Sequence, residues 1–199
     1  MTVKLGYSSN LNGASYLLFE LKQIVKVQQK FNLTPKEIRK KVIDENIFQF
    51  ENKKRVYRVL PSVMRRFKVI DSTLASLLVE GTPEMSKVIN LYAIMKTDLL
   101  FFEFMDEVIK EKFQNNDYVI EKSEVNLFFT AKSEQSSKIA EWSDINIEKL
   151  KSAFMQVLFE SGILKNRFDG ELNRLIIDDQ IKNHIIYIGD ARYIHAMGE

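Results

Sequence analysis

The stretch from Asn52 to Ile70, NKKRVYRVLPSVMRRFKVI, constrains the fold of this chain more than any other. It holds seven basic residues (Lys53, Lys54, Arg55, Arg58, Arg65, Arg66, Lys68) and no acidic one, with Glu51 and Asp71 just outside it. Wound at about 100° per residue, it sorts into two faces. Val56, Val59, Leu60, Val63, Met64, Phe67 and Ile70 share one broad apolar arc, with Tyr57 at its margin. Lys54, Arg55, Arg58, Arg65, Arg66 and Lys68 share the opposite arc, and only Lys53 strays. The spacing predicts an amphipathic helix with one face for a core and one of nearly pure positive charge. A merely solvated helix face mixes signs and gains from i,i+4 pairs. Here like charges sit side by side, so the pattern points to an anionic partner.

Pro61 interrupts the stretch. It has no N–H to offer Tyr57, and it biases Leu60 away from helical geometry. The sequence therefore allows one kinked helix, or two helices with Pro61 at the first position of the second.

The rest of the chain sets the context. Its 199 residues suit one large domain or two small ones. Seven Gly and three Pro argue for mostly helical structure with short loops. The lack of cysteine excludes disulfides, thiolate metal sites and cysteine nucleophiles, and it fits a reducing cytoplasm. The N-terminus shows no signal-peptide pattern, and no apolar run is long enough to span a membrane. The net charge of +2 hides an asymmetry: residues 1–96 hold 17 Lys/Arg and 8 Asp/Glu (+9), and residues 97–199 hold 12 and 19 (−7). A basic half joined to an acidic half suggests one side facing nucleic acid and one facing solvent or protein.

Taken in order, residues 1–13 read as an irregular arm, and a helix follows from Ala14 to about Lys30. Thr34-Pro35-Lys36-Glu37 is a capping box with Pro at the first helical position. The helix it starts runs to about Asp44 and adds Lys36, Arg39, Lys40 and Lys41 to the positive charge. The succession of helix, short helix, turn and basic helix matches a helix-turn-helix plan. Asp71 or Ser72 caps a short helix ended by Gly81, and Thr82-Pro83 starts the next. A very apolar helix from Thr97 or Asp98 to about Gln114 belongs in the core. Asn115 to Asp117 reads as a domain boundary, giving a basic domain (1–115) and an acidic one (116–199). In the second, Ser123–Lys132 allows a helix, and Ser143 or Asn146 caps a clear helix to Ser161. Ile163–Asn166, an Asp169-Gly170 turn and Leu172–Ile177 read as a β-hairpin. After an amphipathic helix this is a winged-helix arrangement, with Lys165, Arg167 and Arg174 on the wing. A last helix spans Asp178–Ile188. The expected fold is thus mainly α, two helix-turn-helix or winged-helix subdomains with one short hairpin.

Several features recur in a recognisable order: Tyr7 before the first helix and Glu20 within it, Asp44-Glu45-Asn46 before the basic helix, Arg65-Arg66 near its end, Trp142-Ser143 before the long helix, and Ser161-Gly162-Ile163-Leu164 after it. In these, over nearly its whole length from about Tyr7 to Met197, the chain resembles the BrxA-like family of BREX (bacteriophage exclusion) defence loci. Asn146 stands where a Thr is expected after the Trp-Ser pair, and Asn caps a helix equally well. The resemblance implies a double-stranded DNA-binding protein acting in phage restriction beside other defence proteins. The family is also likened to a helical RNA-binding antitermination factor, and some members carry a membrane-protein label that the hydropathy here does not support.

The residues themselves show no catalytic signature. His184 and His195 are far apart, no Gly-rich phosphate loop or nucleophile motif occurs, and Asp178-Asp179 reads as a helix N-terminus. No catalytic residue, metal or cofactor is expected. The candidate DNA-binding residues are Lys36, Arg39, Lys40, Lys41, Lys53, Lys54, Arg55, Arg58, Arg65, Arg66 and Lys68, with wing contacts from Lys165, Arg167 and Arg174. A protein–protein adaptor, using the basic face on an acidic surface, is the second reading, and RNA binding is the third.

Overall fold

The computed structural model describes residues 6–199; residues 1–5, the start of the expected arm, lie outside the described residues. The arm continues to the first helix, α1 (Leu18–Phe31), which begins four residues later than its apolar period suggests. Leu17 is left-handed at φ 51°, which stops the helix from extending back through Ala14. α2 (Pro35–Asp44) starts on the predicted capping box, Thr34 and Glu37 each accepting from the other's backbone N–H. α3 (Lys53–Phe67) is one continuous helix with Pro61 inside it, capped by Asn52. Its arcs fall as the period requires. Val56, Val59, Leu60, Val63 and Met64 are buried, while Tyr57 at the margin is exposed.

α4 (Ser72–Glu80) is capped by Asp71, and α5 (Pro83–Thr97) by Thr82. Residues 88–95 of α5 are all buried, because α1, α3, α4, α6, α10 and α12 pack around it. Asp98 caps α6 (Leu99–Phe104), which passes through a π-helical turn (Met105–Ile109) into α7 (Lys110–Gln114). Nothing in the sequence signals the π turn, which packs against α12. α8 (Lys122–Gln135), α9 (Ser137–Ala140) and α10 (Asp144–Ser161) follow, the last capped by Ser143. The phenylalanines that the sequence assigns to the core meet here. Phe154 of α10 packs against Phe101 (5.0 Å between ring centroids), Phe104 (5.3 Å) and Phe129 (5.3 Å), joining α6, α8 and α10. α11 (Asp179–Tyr187) and α12 (Ala191–Ala196) close the chain. α12 lies in the stretch that sequence reading leaves as a tail, and its Tyr193 is buried edge-on to Tyr92 at 5.5 Å.

The predicted wing does not form. Among the described residues there is no β-strand, only two isolated bridges, Val119–Glu171 and Leu164–Leu172. The reason lies in where the backbone bonds go. Lys165 N–H reaches Glu171 O (2.9 Å) and Asn173 N–H reaches Ile163 O (2.7 Å), but Leu172 N–H bonds Tyr118 O (2.8 Å) and Ile120 N–H bonds Gly170 O (2.9 Å). The returning arm divides its pairing between two neighbours, so no ladder propagates. The Asn166 side chain meanwhile accepts from Phe168 N–H (2.9 Å) and Asp169 N–H (3.2 Å), closing a side-chain turn in place of a hairpin turn. Gly170 is required: at φ +71° a Cβ would lie 2.2 Å from Ile120 O. The mainly α class stands and the winged-helix element is withdrawn.

Candidate nucleic-acid interface

The basic face is held out by packing on its other side. α3 packs against α1, α2 and α5, which leaves Lys53, Lys54, Arg55, Arg58 and Lys68 exposed. On α2, Lys36 and Lys40 are exposed, and Arg39 and Lys41 are half-buried. Two rings steady the patch. Arg55 lies over Phe50 at 4.4 Å and Lys41 over Phe31 at 4.5 Å.

Few cations of this face are paired, whereas many lysines elsewhere are. Lys96, Lys110, Lys112, Lys132, Lys151, Lys165 and Lys182 each hold a carboxylate. Among the described residues of α2 and α3, only Lys41 does so, with Glu45. Lys53, Lys54 and Arg55 also occupy the first turn of α3, which contains no acid. Cations there oppose the positive end of the helix dipole. Stability alone would not choose them.

Arg66 departs from its arc. It is 2% exposed, and its Nη2 donates to Ala14 O and Ser15 O, both at 2.7 Å, while Nη1 donates to Tyr16 O. Asn90 Nδ2 also donates to Tyr16 O at 2.8 Å. Burial lowers the Arg66 pKa to about 10, and the nearby Asp98 carboxylate opposes that shift, so the side chain stays charged at neutral pH. Arg66 is therefore a bolt between α3 and the segment before α1, and its guanidinium is unavailable to a ligand. Arg65 is half-buried and donates to Ser62 Oγ at 2.9 Å.

Comparison with known proteins places the chain. The family model BrxA matches residues 6–189. A Bacillus cereus (strain H3081.97) protein, described as BREX protein BrxA, is 38% identical over 192 residues, covering 96% of each chain. The chain belongs to the BrxA family of the BREX phage-defence system. In three dimensions it is similar to the crystal structure of an uncharacterized protein from Magnetospirillum magneticum, with TM-score 0.82 and 17% identity over 96% of this chain and 97% of that one. That likeness concerns the fold.

In this BrxA-family chain, the three residues expected on a wing are dispersed. Lys165 pairs with Glu171, and Arg167 lies over Phe159 at 5.1 Å. Arg174 donates to Phe113 O, Gly198 O (3.0 Å) and Tyr118 Oη (3.1 Å), so it ties the C-terminus down. His184 meets Asp71 at 2.7 Å, and Asp178 caps α11. Among the described residues no helix is long and apolar enough to cross a membrane. Sequence reasoning missed two cations. Lys22 of α1 and Lys87 of α5 join Arg55 and Arg58 around one open groove. No local pattern marks them, since they are far apart in the chain and only the fold gathers them.

Proposed function

We propose that this protein is a non-catalytic, double-stranded DNA-binding component of its defence system, working beside other proteins of that system. The observation that carries this reading is the run of unpaired cations on α2 and α3, three of them on the first turn of α3. Such a face is self-repelling when free and is relieved by phosphates, whose binding also releases condensed counterions. No geometry on this face selects a base edge, so binding is expected to follow the backbone with weak sequence preference.

Fluorescence anisotropy of a labelled duplex through a salt series tests it. With roughly five phosphates neutralised, log K falls against log salt with a slope of about −4 to −5. Lys53→Glu with Lys54→Glu abolishes binding while circular dichroism stays unchanged. Flat anisotropy at low salt rejects the reading. Equal or better competition by single-stranded DNA or RNA redirects it to those ligands.

A further inference from the structure

The groove beside α3 is an open concavity of about 860 Å³, with Lys22 on α1, Arg55 and Arg58 on α3 and Lys87 on α5 around it. We propose that it extends the α3 face as a second phosphate-binding element, in which Lys22 and Lys87 receive the backbone of the same nucleic acid that α3 contacts. The inference rests on the DNA-binding reading above and adds where the strand goes and which residues meet it.

Three observations carry it. First, four cations from three helices converge on one concave surface, and none forms an ion pair in the structure, although Glu20 and Glu160 also line it. Glu20 is buried at 8% exposure in the field of Arg66, which leaves Glu160 as the opposing charge on the α10 side. Concave walls focus the field of like charges rather than letting water disperse it. The Lys22 pKa is lowered, by burial first and by Lys26 second, as expected of an ammonium group that lacks a counterion.

Second, three carbonyls of the wall from Gly13 to Leu18 are already engaged. The carbonyls of Ala14, Ser15 and Tyr16 are bound to the buried Arg66 guanidinium, so they do not repel an anion in the groove. Tyr16 lines the groove and is itself 8% exposed, and its hydroxyl is buried without a partner. Third, the groove is continuous with the outer basic face through Arg55 and Arg58. Gly13 supports this junction. It stands at φ +72°, a conformation that favours glycine, and lies beside the Arg58 guanidinium. A polyanion that tracks α3 through Arg55 and Arg58 meets Lys22 and Lys87 on the same surface.

The test uses the full chain and a labelled duplex. Lys22→Gln with Lys87→Gln is expected to make the salt slope shallower by about 1.8, at about 0.9 per lost phosphate contact. Affinity at 0.1 M salt should fall by about tenfold or more. Lys22→Arg with Lys87→Arg retains both. Lysine acylation of the unaltered protein, read by mass spectrometry, gives the same answer without a variant: duplex protects Lys22 and Lys87 together with Lys53 and Lys54. Protection of Lys53 and Lys54 alone, or an unchanged slope in the glutamine variant, overturns the groove and leaves the α3 face standing. No duplex binding by the unaltered protein overturns both.

Discussion

A guanidinium removed from water keeps its charge only where several acceptors replace the solvent. Arg66 has three carbonyls, and together they fix how the chain enters α1. Arg66→Met is therefore expected to orphan the carbonyls of Ala14 and Ser15, while Tyr16 O keeps Asn90, and at about 1–3 kcal/mol each to lower stability by about 2–6 kcal/mol. Arg58→Gln, on the exposed face, changes stability by about 0.5 kcal/mol or less and weakens DNA binding instead. Urea unfolding and anisotropy on both variants separate the two roles. Asp98 makes a second residue-scale prediction. It is 4% exposed; Oδ1 accepts from Phe101 N–H at 3.0 Å, and Oδ2 has no partner. Burial raises its pKa from 3.8 to about 6, against the opposing pull of Phe101 N–H, Arg66 and Arg65. The folded state thus holds this proton more tightly than the unfolded chain does. Its contribution is fully present below about pH 4 and is lost as pH rises through about 6. Asp98→Asn keeps the Oδ1 acceptor and removes the titration. Between pH 4 and 7 the unaltered protein should lose about 3 kcal/mol relative to that variant in urea unfolding.

At the scale of elements, α3 carries two costs. Its first turn places three cations against the helix dipole, and its interior holds Pro61, which leaves Tyr57 O without its helical donor. Pro61 is exposed, so little burial offsets the lost bond. Pro61→Ala should raise stability by about 1–3 kcal/mol, read from the urea midpoint at constant m-value. On the proposed DNA-binding reading, neutralising the cationic first turn should stabilise the free protein slightly while abolishing its complex. These elements were legible in the sequence because their signals are local. The Thr34–Glu37 box, the helix starts at Asp71 or Ser72, Thr82, and Ser143 or Asn146, and the two arcs of α3 each reside within one or two turns. Elements fixed by distant partners were not legible. Leu172 and Ile120 show why. Each reads as part of a strand or loop, but their backbone bonds run between the 118–120 and 170–172 segments, and no spacing within 163–177 announces the competitor. Arg66 failed for the same reason. Periodicity placed it with Arg58 and Arg65 although it sits at the edge of that arc beside Val59, and only the fold brings the carbonyls of residues 14–16 down onto it.

Across the whole molecule, charge and packing are organised differently. Net charge divides near residue 97, with +9 before it and −7 after it, and most of the lysine–carboxylate pairs lie in the acidic half. The hydrophobic core makes no such division. It runs without a break from Leu11 to Met197, with α5 touching α3 on one side and α10 and α12 on the other. Tyr7 Oη donates to Glu103 at 2.9 Å, and Lys132, 5% exposed, bridges Glu103 and Glu107 at 2.8 and 2.6 Å, so the arm, the π turn and α8 meet at one polar junction. A cut after residue 115 would strip Phe154 from Phe101 and Phe104 and Phe128 from Phe104, and would uncover α5. The basic half therefore draws its rigidity from the acidic half, and a face whose like charges repel needs that support to hold its shape. The expected consequence is one cooperative unfolding transition. Far-UV circular dichroism, which reports all helices, and the fluorescence of Trp142, the single tryptophan, which lies between α9 and α10, should share one urea midpoint. The isolated 1–115 segment should lack a cooperative transition. Two separated midpoints, or a cooperative 1–115 fragment, would show that the basic face stands on a domain of its own. In that case the acidic half would be a partner of the DNA-binding unit and not part of its frame.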